Sequence, residues 1–214
     1  MEKYTNYEMC KICGGVCCKQ NGCLYLPEDF KKIHFNYLRK QIDKGKISIS
    51  GQPLNGFEGD TWTFVLYLRA RNIDAPAVDL ITAGGPCINL TENGCALSET
   101  ERPTVGLTLN PTKIGGPCKN TTSQEEILTW LHYNDVLENL VKHYTNQNVT
   151  EVLVNQLEEE LKIIRYNIEN NLDITPMQSN TIKWHNDIMG NKPYCHPEAA
   201  KRLIRIKPKK RKEN

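Results

Sequence analysis

Apolar positions recur along this chain with two different periods. Between Leu26 and Gly45, Phe30, Ile33, His34, Tyr37, Leu38 and Ile42 return every three or four residues, the spacing of one helical face. Pro27, Glu28 and Asp29 suit a first turn and Gly45 a C-terminal stop, so the pattern predicts a helix there. Residues 46–50 (KISIS) and 61–70 (TWTFVLYLRA) are rich in β-branched and aromatic side chains and predict two strands. The intervening Gly51, Pro53, Gly56 and Gly59 predict a loop, and the whole a small antiparallel sheet. From 121 to 172 the helical period is strong. Ser123 and Glu126 form a capping-box pattern, and Ile127, Trp130, Leu131, Leu137, Val141 and Tyr144 keep to one face. After the Thr-Asn-Gln-Asn break, Thr150 is suited to cap a second helix that turns Leu153, Leu157, Leu161, Ile164 and Ile168 inward and Glu158 to Glu160 outward. Two helices on a short link predict an antiparallel pair. Beyond Pro176 the chain is polar and punctuated by Gly190, Pro193 and Pro197, which predicts an irregular segment.

The expected fold class is therefore α+β: a small Cys-rich metal-binding domain with short strands and a helix over residues 1–120, an αα-hairpin over 121–175 packed on it, and an irregular segment with a basic tail over 176–214. With 214 residues, 39% hydrophobic and 24% charged, the chain can bury one ordinary core, which excludes disorder along its whole length. Its apolar runs fall short of the roughly 18 residues that span a bilayer, and Glu2 and Glu8 stand where a secretory leader would be basic and then apolar. A soluble, cytoplasmic protein with no membrane partner is expected. The net charge of +2 conceals an asymmetry, because residues 201–214 carry eight basic groups against Glu213, and the first 200 residues are net acidic. Positive charge confined to a Pro-containing terminus with few aromatics gives neither a folded basic face nor a stacking platform, so nucleic-acid binding is disfavoured.

Cysteine changes this picture most. Five of the nine cysteines fall between Cys10 and Cys23. An odd number of thiols without an export signal argues against a disulfide framework and for metal or redox chemistry. In Cys10-Lys-Ile-Cys13-Gly-Gly-Val-Cys17-Cys18, two thiolates two residues apart can chelate from one tight turn, the glycines supply backbone freedom, and the vicinal pair adds two soft donors. Far along the chain, Gly84-Gly85-Pro86-Cys87-Ile88-Asn89 and Gly115-Gly116-Pro117-Cys118-Lys119-Asn120 are nearly one phrase, each aiming a cysteine from a rigid corner, and Cys95 follows the Asn93-Gly94 turn. Cys23 and Cys195, each taken alone, read as small buried hydrophobes. His34, His132 and His143 read as structural, and His185 and His196 as surface or packing residues.

The C-x-x-C…C-C cluster, followed by Pro86-Cys87-x-x-Leu90, then Gly94-Cys95 and Glu101-Arg102-Pro103, resembles the cysteine-cluster family of zinc- or iron-chelating domains named after its CxxCxxCC motif, to which flagellin lysine N-methylases are similar. The likeness covers residues 10 to 120. It implies chelating roles for Cys10, Cys13, Cys17, Cys18, Cys87 and Cys95, with Cys118 matching a later cysteine after a glycine-rich corner. The Cys13-to-Cys17 spacing is one residue longer than the motif's name, and Val105 and Gly106 stand where a cysteine usually follows Arg-Pro.

Seven thiolates exceed the four that one tetrahedral ion or one cubane needs, and an all-sulfur donor set suits an iron–sulfur cluster or zinc. The first expectation is a metal-binding protein with such a centre. The resemblance also implies a methyltransferase acting on protein lysine with S-adenosylmethionine, in which Asp60, Asp79 or Glu101 would meet the substrate. A nucleic-acid-binding zinc protein is the third reading. Arg102 is expected to steady the turn before Pro103.

Overall fold

The computed structural model describes residues 12–57, 61–81, 84–98, 100–111, 118–119, 124–189 and 197. They form a mixed helix-and-strand fold built on one long antiparallel hairpin, β1 (Ile47–Phe57) and β2 (Thr61–Ala70). The register runs from Ile47 opposite Ala70 to Leu54 opposite Thr63, with an irregularity between Asn55 and Phe57. β1 extends well past the expected KISIS segment, through Gly51 and Pro53. A two-stranded ribbon accommodates Pro53 at a position that needs no ladder N–H. Gly51 admits the Phe64 ring, which lies 2.1 Å from where a Cβ would stand.

Both edges of the ribbon are bordered. Residues 23–25 run beside β2, with Tyr25 N donating to Leu68 O at 2.8 Å and Ala70 N donating to Cys23 O at 2.8 Å. Residues 77–79 run beside β1, with Ile49 N donating to Ala77 O and Asp79 N donating to Ile49 O, both at 2.8 Å. The ribbon's outward-facing backbone groups thus find partners at both edges, and side chains on both of its faces are buried: Ile49, Val65, Leu66 and Leu68, and Ser48, Ser50 and Thr63 with them.

The predicted helix from Leu26 to Gly45 is shorter than its periodicity suggests. Pro27–Asp29 form a separate 3-10 turn, and helix α2 covers only Phe35–Ile42, after the short α1 (Val16–Gln20). The reason is Asp29, whose carboxylate turns back to accept from Leu26 N at 2.8 Å instead of opening a longer helix. His34 is the N-cap of α2, accepting from Tyr37 N through Nδ1, and Gly45 ends the element at φ +77° as expected.

The helical half is segmented too. α4 (Gln124–Leu128) passes into a 3-10 turn (Thr129–Tyr133) before α5 (Asn134–Thr145). The break occurs where Trp130, fully buried, donates its indole N–H to Tyr25 O at 2.8 Å. Ser123 lies outside the described residues. After Asn146 in the left-handed region, α6 (Val149–Glu169) starts at Asn148 rather than Thr150: Asn148 Oδ1 accepts from Glu151 N at 2.9 Å, and Asn148 N donates back to Glu151 at 2.8 Å. α5 packs on α6, on β2 and on α2.

The described first part of the segment expected to be irregular is helical. α7 (Pro176–Met189) packs on α6, and its inward positions are Gln178, Thr181 and Trp184, spaced as one helical face but mostly polar. A hydropathy pattern misses such a helix, because Gln178 is buried through its hydrogen bond to Glu160 at 3.0 Å. Residues 201–214 lie outside the described residues. No helix among the described residues is long and apolar enough to cross a membrane.

Candidate metal centre

The N-terminal cysteine loop reverses on two consecutive glycines, Gly14 at φ +64° and Gly15 at φ +70°. Gly15 also lets a second loop approach: a Cβ there would stand 2.4 Å from Leu90 Cδ1. Cys17 and Cys18 ride on the single turn of α1, and Cys23 follows after Gly22, where the chain joins the edge of β2.

The second loop begins at Gly84 and Gly85, both at positive φ, and runs past Cys87 into the two-residue strands β3 (Leu90–Thr91) and β4 (Gly94–Cys95). Leu90 pairs with Cys95, Gly94 turns at φ +94°, and Thr91 Oγ1 donates to Gly94 O at 2.8 Å. The two loops are joined by backbone: Cys87 N donates to Cys18 O at 2.7 Å, and Gly85 N donates to Gln20 O at 2.8 Å. Helix α3 (Thr104–Thr108) then lies over them, its first N–H, that of Thr104, donating to both carboxylate oxygens of Asp29 at 3.1 Å. Arg102 donates from Nε to Leu97 O at 3.0 Å and from Nη2 to Cys95 O at 3.4 Å, so it steadies the chain between β4 and Pro103.

These elements enclose a cavity of about 60 Å³ lined by Cys17, Cys18, Cys23, Cys87 and Cys95, with Gly15, Gly94, Arg102 and Gly106 among its walls. Cys18 shares side-chain hydrogen bonds with Cys17 and Cys23. The bond with Cys17 pulls the Cys18 thiol down. The bond with Cys23, burial, and the neighbouring Cys23 and Cys87 outweigh it and hold that thiol far above its ordinary range. Burial likewise pushes up the Cys87 thiol, against the hydrogen bonds that Asn89 gives it, one of them from Nδ2 to Sγ at 3.9 Å. As they stand, no three Cys, His, Asp or Glu side chains among the described residues are grouped so as to hold a metal ion. The five thiols surround a space.

Beneath the cavity is a buried arginine. Arg69 on β2 is 1% exposed and pairs with Asp79; its Nε donates to Ser50 Oγ at 2.7 Å, and its Nη1 donates to Asn21 Oδ1 at 2.6 Å and to Asn72 Oδ1 at 2.9 Å. Asn21 lies between Cys18 and Cys23, and Asn72 bridges backbone to backbone with Cys87. Gly22 N donates to both asparagine oxygens at 2.9 Å. One guanidinium thus fixes the spacing of both cysteine loops.

Of the residues singled out from sequence, Cys17, Cys18, Cys87 and Cys95 are brought together. Cys13 is buried but does not line the cavity. Cys10, Asp60, Cys195, His196 and the Cys118 side chain lie outside the described residues, although the Cys118 backbone pairs with Pro111 in the two-residue strands β5 (Asn110–Pro111) and β6 (Cys118–Lys119). Asp79 and Glu101, considered for substrate binding, are engaged within the protein, Asp79 with Arg69 and Glu101 with Ser98. Sequence reasoning assigned Cys23 to simple packing and passed over Arg69, Asn21 and Asn72. The one available signal was that Cys23 follows Cys18 by only five positions. No family model, curated protein or solved structure matches the chain.

Proposed function

We propose that the chain is a metal-binding protein whose cysteine loops hold an iron–sulfur cluster. The observation that carries this reading is the convergence of Cys17 and Cys18 with Cys87 and Cys95, far apart in sequence, around one cavity, with Cys87 N bonded to Cys18 O at 2.7 Å. Core packing alone gives soft donors no reason to converge, whereas a centre built from distant loops converts binding energy into folding energy.

The donor set fits. It is all sulfur, which suits a cluster or zinc on softness grounds. The vicinal Cys17–Cys18 pair, unusual in ordinary zinc ribbons, favours the cluster over a zinc ion. Bound there, a cluster would supply one-electron chemistry and a structural staple. Arg69 and Asn72 would hold the loops at their spacing, Asn89 would direct an N–H at the Cys87 sulfur, and α3 would limit water. The resemblance to the zinc- or iron-chelating cysteine-cluster family supports the same assignment.

The test is elemental analysis with a visible spectrum on protein purified without oxygen. Brown protein with iron and acid-labile sulfide is the expected result. Colourless protein with stoichiometric zinc would replace the cluster by an ion, and protein that takes up neither metal would end the reading.

A further inference from the structure

We infer that Cys23, which lies outside the clustered motif, is a ligand of the centre proposed above; the inference rests on that reading. Two features place this side chain. Cys23 lies on the cavity wall together with Cys17, Cys18, Cys87 and Cys95, so its sulfur belongs to the same group of thiols. Its backbone is fixed by the strand edge, through Ala70 N to Cys23 O and Tyr25 N to Leu68 O, both at 2.8 Å.

The surroundings leave that sulfur room and hold it there. Gly22 is pressed onto β2, where a Cβ would stand 1.8 Å from Ala70 O, so the position of Cys23 along the edge cannot slide. Gly106 of α3 lies against the thiol: a Cβ there would stand 3.4 Å from Cys23 Sγ, so the bare glycine backbone is what leaves the sulfur its space. Cys13, within the motif, is buried without lining the cavity. Among the described residues, the cysteines on the cavity wall are Cys17, Cys18 and Cys23 from the N-terminal loop and Cys87 and Cys95 from the second, and Cys23 is one of the four that would hold the centre.

The test uses the full chain reconstituted with ferrous iron and sulfide under argon, with Cys23→Ser and Cys13→Ser compared in parallel. Cys23→Ser is expected to lower iron and sulfide content about tenfold or more, at least the loss that outer-shell partners of a metal carry, and to alter the visible spectrum. Normal loading with an unchanged spectrum in Cys23→Ser overturns the inference while the centre itself stands. Wild-type protein that takes up no iron overturns both. Differential alkylation of wild-type protein, read by mass spectrometry, covers the case in which the variant fails to fold. Cys23 is expected to be shielded when the protein is loaded and labelled after chelation, and equal labelling in both forms sinks the assignment.

Discussion

Gly15 is the residue on which the meeting of the two cysteine loops turns. Its φ of +70° is open to glycine without strain, and Leu90 occupies the space a side chain would need. Gly15→Ala should cost about 1–3 kcal/mol through backbone strain alone and reduce metal loading with it; urea unfolding of the loaded protein checks the first and iron content the second. The thiols carry a pH signature. In the metal-free fold Cys18 and Cys87 are raised, so the stability they lend is complete below their unfolded value and is lost as pH climbs through the folded one. A metal takes the same sulfurs as thiolates. Loading should therefore release protons and tighten with rising pH, which calorimetric titration in buffers of different ionisation enthalpy reads directly; uptake without proton release would contradict it. Gly14, Gly15, Cys17 and Cys18 were legible as residues because their chemistry is local. Cys23 was not, because its position is set by a strand 47 positions away, at Ala70.

Elements in this fold begin and end where side chains reach across the molecule. The 3-10 turn before α2 is held by Asp29, which also accepts from Thr104 at the start of α3, and the turn before α5 is held by Trp130 on Tyr25 O. Periodicity found the apolar faces of these helices and missed their interruptions, since no short window contains the distant partner. β2 carries the clearest case. Arg69 read as an ordinary strand residue, yet it bonds Ser50, Asn21, Asn72 and Asp79 in the interior. Removing one partner of a buried pair leaves an uncompensated charge and costs about 3–5 kcal/mol, whereas replacing both with apolar groups costs far less. Arg69→Met should accordingly lower the unfolding midpoint strongly and impair metal loading, and Arg69→Met with Asp79→Leu should recover much of the stability. If the double variant is no more stable than the single one, the guanidinium matters for its bonds to the asparagines rather than for its pairing with Asp79.

On the scale of the whole molecule, the hairpin, the Trp130 turn and α5 share one apolar core, which the cysteine loops join through Cys87 and Cys18. Chelation should therefore loosen residues 16–23 and 84–106 while β1, β2, α5 and α6 keep their protection, a pattern that hydrogen exchange with and without chelator resolves. Equal loss of protection throughout would mean that the centre holds the core as well. The α+β composition, the hairpin strands, the paired helices and the wealth of soft donors were determined by the sequence alone, because side-chain period, turn chemistry and donor type are properties of neighbouring residues. That α7 is a helix, that Cys13 stands outside the cavity while Cys23 lines it, and that Arg69 sets the separation of the cysteine loops were decided only in the tertiary structure. Each depends on a polar group finding its partner across the core, and burial makes that partner obligatory without naming it in any local stretch of chain.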